Sequence, residues 1–401
     1  MSQKAVTIPG KKRWDVAVIG GGPAGCATAI ALKQRGVESV CICDSGPYPK
    51  ERIGETVPPD IHASLMSLGL WEGFLKEGHE QCLGSCSSWG SPLLGYNDFL
   101  LSPCGAGWRL DRSRFDAFLR RSAAARGVVF FSGVRFHDWL RDDTQGVQLE
   151  LNASDGTAAL LNAAFVVDAT GSRSVLARQA GVGQGFLDRL TFIYGFFDIS
   201  NGASTSLMTM LESEEDGWWY AARVPGRRMV VAFATDADIV RNRQLSNGDR
   251  WSDLARRTRY VGPWLEGAHF LESSMGAKVA PSFLLERVSG ARWLAVGDAA
   301  ASYDPLSSQG IQKALEDGVR GAEAISRALA FDPNAIAAYG ASLNSRFEEY
   351  RTNRNYFYGL ETRWTDRPFW KRRRARRTLQ WRRLDKSSLS ESGRDISPSK
   401  V

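Results

Sequence analysis

The chain has 401 residues, 43% hydrophobic and 24% charged, enough for two or three domains with a large buried core, and this composition excludes a disordered protein. No apolar stretch reaches the about eighteen residues that a membrane span needs, and the basic start runs into a strand rather than a signal peptide, so a cytoplasmic protein with no membrane span is expected. The formal charge of +7 is local, because residues 371–383 hold eight Lys or Arg and no acid, so no basic face for nucleic acid is expected.

In chain order, the apolar run Val16-Ala17-Val18-Ile19 enters Gly20-Gly21-Gly22-Pro23-Ala24-Gly25, and a helical pattern follows over residues 26–34. Strand, Gly-x-Gly-x-x-Gly turn and helix in this order suit a dinucleotide pyrophosphate. Gly20 allows the tight turn, Gly22 lets phosphate approach the backbone, and Gly25 lets helix and strand pack closely. A second strand, 39–43, ends in Asp44, where a ribose-binding carboxylate is expected. The loop Gly46-Pro47-Tyr48-Pro49 leads to Arg52-Ile53-Gly54-Glu55-Thr56-Val57-Pro58, and an amphipathic helix follows, with Ile61, Leu65, Leu68 and Leu70 among its apolar positions. Strands are predicted within 81–101, a helix over 115–127 after Arg112, and short strands over 128–131 and 147–151, before Val166-Val167-Asp168-Ala169-Thr170-Gly171. Residues 186–271 are β-rich, and Pro225-Gly226-Arg227 signals a hairpin. A last apolar strand, 293–296, ends in Gly297-Asp298, and Asp304-Pro305-Leu306-Ser307-Ser308-Gln309-Gly310 opens a long helix over 311–329.

This pattern predicts an α/β protein. A Rossmann-like three-layer nucleotide-binding domain takes residues 1–80, 105–180 and 272–335. An inserted, mostly antiparallel β-sheet substrate domain takes 81–104 and 181–271. A C-terminal helical region covers 336–385, and 386–401 is expected to be a disordered tail. The six cysteines lie in the first 104 residues and the four histidines are scattered, so buried thiols and no metal site are expected.

Three separated motifs, the glycine turn with Asp44, the Arg112 segment, and Gly297-Asp298 leading to Gly310, resemble the FAD-dependent aromatic hydroxylases of the glutathione-reductase-type fold. The resemblance implies FAD on Gly20, Gly22, Pro23, Ala24, Gly25, Asp44, Ser45, Arg52, Arg112, Asp298, Gly310 and Ile311. Within that fold, Gly54-Glu55-Thr56-Val57-Pro58 and Asp304-Pro305-Leu306-Ser307-Ser308-Gln309-Gly310 resemble the corresponding segments of flavin-dependent halogenases, and geranylgeranyl reductases belong to the same branch. Ser307 stands where those halogenases have glutamate, Gln309 where they have threonine, and residues 81–91 contain no lysine to carry hypohalous acid. Gly217-Trp218-Trp219-Tyr220, Ala299-Ala300-Ala301 and the ending Glu361-Thr362-Arg363-Trp364 are more similar to flavoprotein maturases of quinone-cofactor amine oxidases and dehydrogenases.

The maturase resemblance implies a monooxygenase that uses O2 and reduced FAD to hydroxylate a tryptophan side chain in a partner polypeptide, a step towards tryptophylquinone. The alternatives are a small-molecule aromatic hydroxylase or halogenase-like enzyme, an alkene reductase like the geranylgeranyl reductases, and a flavoprotein that only docks and senses redox state. Pro305, Ser307 and Ser308 are candidates for the flavin face, Glu55 or His62 for accepting a substrate proton, and Trp218 and Tyr220 for the substrate side. Thr170-Gly171 replaces the Asp-Gly pair of many such hydroxylases and no second Gly-x-Gly-x-x-Gly unit is present, so electrons come either from NAD(P)H bound in another mode or from a separate flavin reductase. The aromatic and basic residues of 350–383 are read either as a packed helix or as a docking surface for an acidic polypeptide.

Overall fold

The structure, a computed structural model, describes residues 6–7, 13–46, 54–99, 102–143, 146–200, 206–375 and 378–383. Arg52 and the expected C-terminal tail lie outside the described residues.

Trp14–Ile19 is apolar on both faces and Val16, Ala17 and Val18 are wholly buried, as suits the middle of a parallel sheet covered on both sides. The parallel strands run in the order Val129–Ser132, Val40–Asp44, Trp14–Ile19, Ala158–Asp168 and Trp293–Ala295. The first half of Ala158–Asp168 pairs antiparallel with Gly146–Ala153, which pairs in turn with Val134–Asp143. Helix Pro23–Gln34 crosses helix Gly310–Leu329 closely, because a Cβ on Gly318 would lie 2.7 Å from the Ala27 Cβ. Small residues here bring together the two helix starts that the sequence assigns to opposite halves of one cofactor.

The second sheet, nine-stranded among the described residues, is built on the antiparallel pair Gln184–Asp198 and His269–Leu285. It continues through Arg228–Thr235, Gly217–Val224, Met208–Glu214, Gly84–Ser88 and Gly95–Asp98. The expected hairpin at Pro225-Gly226-Arg227 forms, and the early strands join this sheet through the pairing of Gly84–Ser88 with Met208–Glu214, more than a hundred residues further along the chain. The domain boundary expected at residue 272 falls inside a strand. Alternation in 269–285 is weak, so its length was not legible, and residues 272–285 belong to the substrate sheet. A small sheet of Thr56–Val57, Gly107–Arg109 and Glu80–Cys82 lies between the two large ones.

Helices Ala335–Leu360 and Pro368–Arg374 close the fold. Tyr358, Phe369 and Trp370 are fully buried and pack with Trp218 and Phe192 of the substrate sheet. No helix among the described residues is long and apolar enough to cross a membrane.

Candidate functional site

At the glycine turn each motif position has its own physical reason. Gly20 adopts φ +113°, and a Cβ there would lie 2.3 Å from the Ala169 carbonyl oxygen. A Cβ on Gly25 would lie 2.0 Å from the Gly20 oxygen, so strand and helix touch through backbone. Nothing lies within 4 Å of the Cβ position of Gly22, which also begins helix Pro23–Gln34 with no side chain capping it. A helix start left open, with its N–H groups uncapped, is what a pyrophosphate fills. Asp44 accepts from the Gly21 amide at 2.7 Å and the Gly46 amide at 2.9 Å, which fixes the carboxylate and leaves each oxygen a lone pair for a ribose hydroxyl. Ser45 is exposed beside it.

The second half of the site lies at the end of Trp293–Ala295. Asp298 sits half-buried in the turn Gly297–Ala299, and no donor among the described residues reaches its carboxylate. Burial raises its pKa, against the opposing charges of Lys313, Lys278 and Arg112. A carboxylate held this way suits sugar-alcohol hydroxyls. Arg112 starts helix Arg112–Ala124, capped by Asp111, and its guanidinium reaches the Gly54 carbonyl at 3.3 Å and Asp116 at 3.3 Å. Pro305–Ser307 forms one 3-10 turn, Ser308 takes φ +53°, and helix Gly310–Leu329 then starts without a side-chain cap. Nothing lies within 4 Å of a Cβ on Gly310, while Ile311 beside it is buried in the core. The donor set fits FAD: Gly22 would take phosphate, Asp44 and Asp298 would take hydroxyls, and the open helix start at Gly310 would face an electron-rich group.

A matching model of an FAD binding domain covers residues 13–345. The chain belongs to this FAD-binding family. LodB of Marinomonas mediterranea, whose name places it among FAD-dependent oxidoreductases, is 30% identical over 372 residues, spanning 92% of this chain and 98% of LodB. The structure of CmlS, a flavin-dependent halogenase, superposes with a TM-score of 0.81 at 25% identity over 92% of this chain and 69% of that one. QhpG, a peptidyl tryptophan dihydroxylase essential for tryptophylquinone cofactor biogenesis, superposes with a TM-score of 0.68 at 25% identity over 92% of this chain and 80% of its own. Flavin-dependent halogenases recur among further relatives at 23–27% identity. Like its family, the protein is an FAD-dependent enzyme with the mixed α/β fold of flavin halogenases and monooxygenases.

Between the FAD-binding residues and the substrate sheet lies a buried polar group. Glu55 is 3% exposed, accepts from the Gly54 amide at 3.0 Å through Oε2, and its Oε1 has no partner among the described residues. Burial pushes its pKa up to about 7, against the Gly54 amide and the charges of Arg112 and Lys278. The Tyr220 hydroxyl is 2.9 Å from Thr56 Oγ1, which is 3.2 Å from Thr209 Oγ1. Burial first, then the Glu55 carboxylate, raises the Tyr220 phenol above its ordinary value. Tyr220 is thus bonded to the residue next to Glu55 and lies within reach of the Glu55 charge.

Trp218 and His62 do not join them. Trp218 is 1% exposed, and its indole donates to the Tyr358 hydroxyl at 3.2 Å on the face away from Trp219. It is core, because a strand with three successive aromatics must send neighbours to opposite faces and this sheet is covered on both. The His62 ring packs edge-on against Trp71 at 4.4 Å, inside the aromatic group of the FAD-binding domain.

Several residues were not found from the sequence. The Tyr350 hydroxyl accepts from the Asp304 amide at 2.7 Å, and the Tyr358 hydroxyl donates to Asp304 Oδ2 at 2.8 Å, so the long C-terminal helix holds the loop bearing Pro305 and Ser308. Arg354 pairs with Asp188 and Asp304, and Arg373 with Asp188 at 2.9 Å and Asp236 at 2.6 Å. The residues around Asp304 are separated by tens of positions from their partners, and no local pattern links them.

Proposed function

We propose that this enzyme is a monooxygenase that hydroxylates an aromatic ring, a tryptophan side chain of a partner polypeptide, in the biogenesis of a quinone cofactor. Bound reduced flavin with O2 supplies an electrophilic oxygen. The chain's own residues must hold the ring, exclude water and manage a proton. The observation that carries the reading is Glu55, a buried carboxyl pushed up to about 7 whose Oε1 has no partner among the described residues and whose charge reaches Tyr220, because hydroxylating an aromatic ring releases one ring proton that needs an acceptor. The likeness to QhpG supports a peptidyl tryptophan as the ring. The family pattern without a second nucleotide-binding motif leaves NAD(P)H or a partner flavin reductase as the electron source, and the cytoplasm as the place of action.

The docking side of the proposal moves with the structure. Arg372 and Arg373 are turned inward onto Asp236, Asp238 and Asp188, so they hold the fold together. Apolar surface left for a polypeptide includes Tyr356, Phe357 and Leu360, at 62%, 47% and 42% exposure, with Leu360 against Gly90.

A second reading, halogenation, is favoured by the relatives and by Lys278. Residues 81–91 lack an amine, but Lys278 projects from the substrate sheet into the field of Glu55 and Asp298. One experiment separates the two. The FAD-loaded enzyme, reduced by a flavin reductase, is given labelled O2, bromide and tryptophan-containing polypeptides, and products are weighed by mass spectrometry. Labelled oxygen on tryptophan is expected, and a bromine isotope pattern in its place would overturn hydroxylation.

A further inference from the structure

Arg109 ends the strand Gly107–Arg109 and is paired through its backbone with Thr56 on one side and Glu80 on the other. Its neighbour Trp108 turns into the aromatic core of the FAD-binding domain, against Phe74 at 5.2 Å. Alternation sends Arg109 to the opposite face, towards Tyr220 of the substrate sheet, whose phenol feels its charge. There the residue is 0% exposed, and Nε, Nη1 and Nη2 all lack a hydrogen-bond partner among the described residues.

Elsewhere this protein does not bury arginine in that way. Arg354 and Arg373 are equally enclosed, and each lies on two aspartates. Of the nearby acids, Glu80 faces Arg223 at 3.4 Å, and Glu55, although its Oε1 is bare among the described residues, makes no bond to the Arg109 guanidinium. A guanidinium cannot shed its charge by losing a proton, and an uncompensated buried charge is strongly destabilising. Among the described residues no acid supplies that compensating charge, which leaves the guanidinium open to an anionic ligand.

We propose that Arg109 is the anchor of an anion subsite in the substrate region, taking a carboxylate on the fork of its guanidinium, with the hydroxyls of Thr56 and Tyr220 beside it. The planar fork matches a carboxylate two bonds at a time. The inference rests on the hydroxylation reading for the source of that group, an Asp or Glu side chain near the target tryptophan of the polypeptide. A free small carboxylate is the other source with the same chemistry.

The test begins without turnover, so its failure would not touch the hydroxylation reading. Oxidised FAD-loaded enzyme is titrated with sodium acetate at fixed ionic strength, read by melting temperature and by the flavin difference spectrum. A saturable rise in melting temperature is expected in the wild type, lost in Arg109→Met and retained at about tenfold weaker affinity in Arg109→Lys. Without acetate, Arg109→Met is expected to melt above the wild type, since it removes an unpaired buried charge. No saturable response in the wild type, or an acetate response unchanged in Arg109→Met, would overturn the subsite. Tryptophan peptides with a neighbouring Glu or Gln then identify the source. A preference of about tenfold or more for Glu that vanishes in Arg109→Met assigns it to the substrate, and equal binding alongside a saturable acetate response assigns it to a free carboxylate.

Discussion

The two halves of this enzyme are held by different physics. In the FAD-binding half, the decisive contacts are between backbone atoms: Gly25 lies against the Gly20 carbonyl, Gly20 against Ala169, and Gly318 against the first helix. On the substrate side the decisive contacts are between buried charges: Arg373 with Asp188 and Asp236, and Arg354 with Asp188 and Asp304. The first kind of contact demands one residue type at a fixed spacing, so it writes itself into a short motif. The second needs only opposite charges at positions as far apart as 188 and 373, and leaves no local trace.

The sharpest way to break the comparison is Arg373→Met. It takes from Asp188 and from Asp236 one of the two arginines that each of them holds, with an expected loss of about 2–3 kcal/mol in urea unfolding. A loss below about 1 kcal/mol would mean that the charges do not hold that half. Next comes the glycine pair. Gly25→Ala forces a Cβ onto the Gly20 oxygen and is expected to lower stability by about 1–3 kcal/mol, whereas Gly22→Ala meets open space and is expected to melt like the wild type yet retain less FAD after gel filtration. Equal melting of the two variants would remove the distinction.

Glu55→Gln tests the border between the halves. The wild-type carboxyl has its folded pKa raised from 4.5 to about 7, so the folded state binds the extra proton, and stability falls as pH rises between those values. The FAD-free variant should lack that fall, amounting to a difference of about 2–3 kcal/mol between pH 4 and pH 8 in denaturant titrations. In turnover, the limb of the pH–rate profile near pH 7 should disappear. The smallest effect is expected from Tyr356→Ser with Phe357→Ser. Both side chains are exposed, so stability should move by less than about 0.5 kcal/mol while capture of the polypeptide weakens severalfold. Unchanged capture would send the search for the docking surface elsewhere.

The same contrast explains what was legible in the sequence. The parallel sheet, the glycine turn, Asp44, Asp298 and the helix start at Gly310 could be located because each is a short pattern of strand, glycine and helix. The sequence singles out Glu55 and Tyr220 separately, and that Thr56, next to Glu55, bonds to Tyr220 depends on the packing of separate sheets. Trp218 shares the Tyr220 face of its strand, and the sequence does not show that the C-terminal helices cover that face at Trp218. Arg109 had one signal, its alternation with Trp108, and that alone could not reveal that no carboxylate answers it.

The hold of Tyr358 on Asp304 also sets an order of events during synthesis. Tyr358 follows Asp304 by 54 residues, so the loop over the flavin edge is made long before the hydroxyl that fastens it leaves the ribosome. The glycine turn needs only residues up to Ala169 for its backbone contacts. The loop before Gly310 is therefore complete before its fastening, and the long helix Ala335–Leu360 is a latch added late in synthesis.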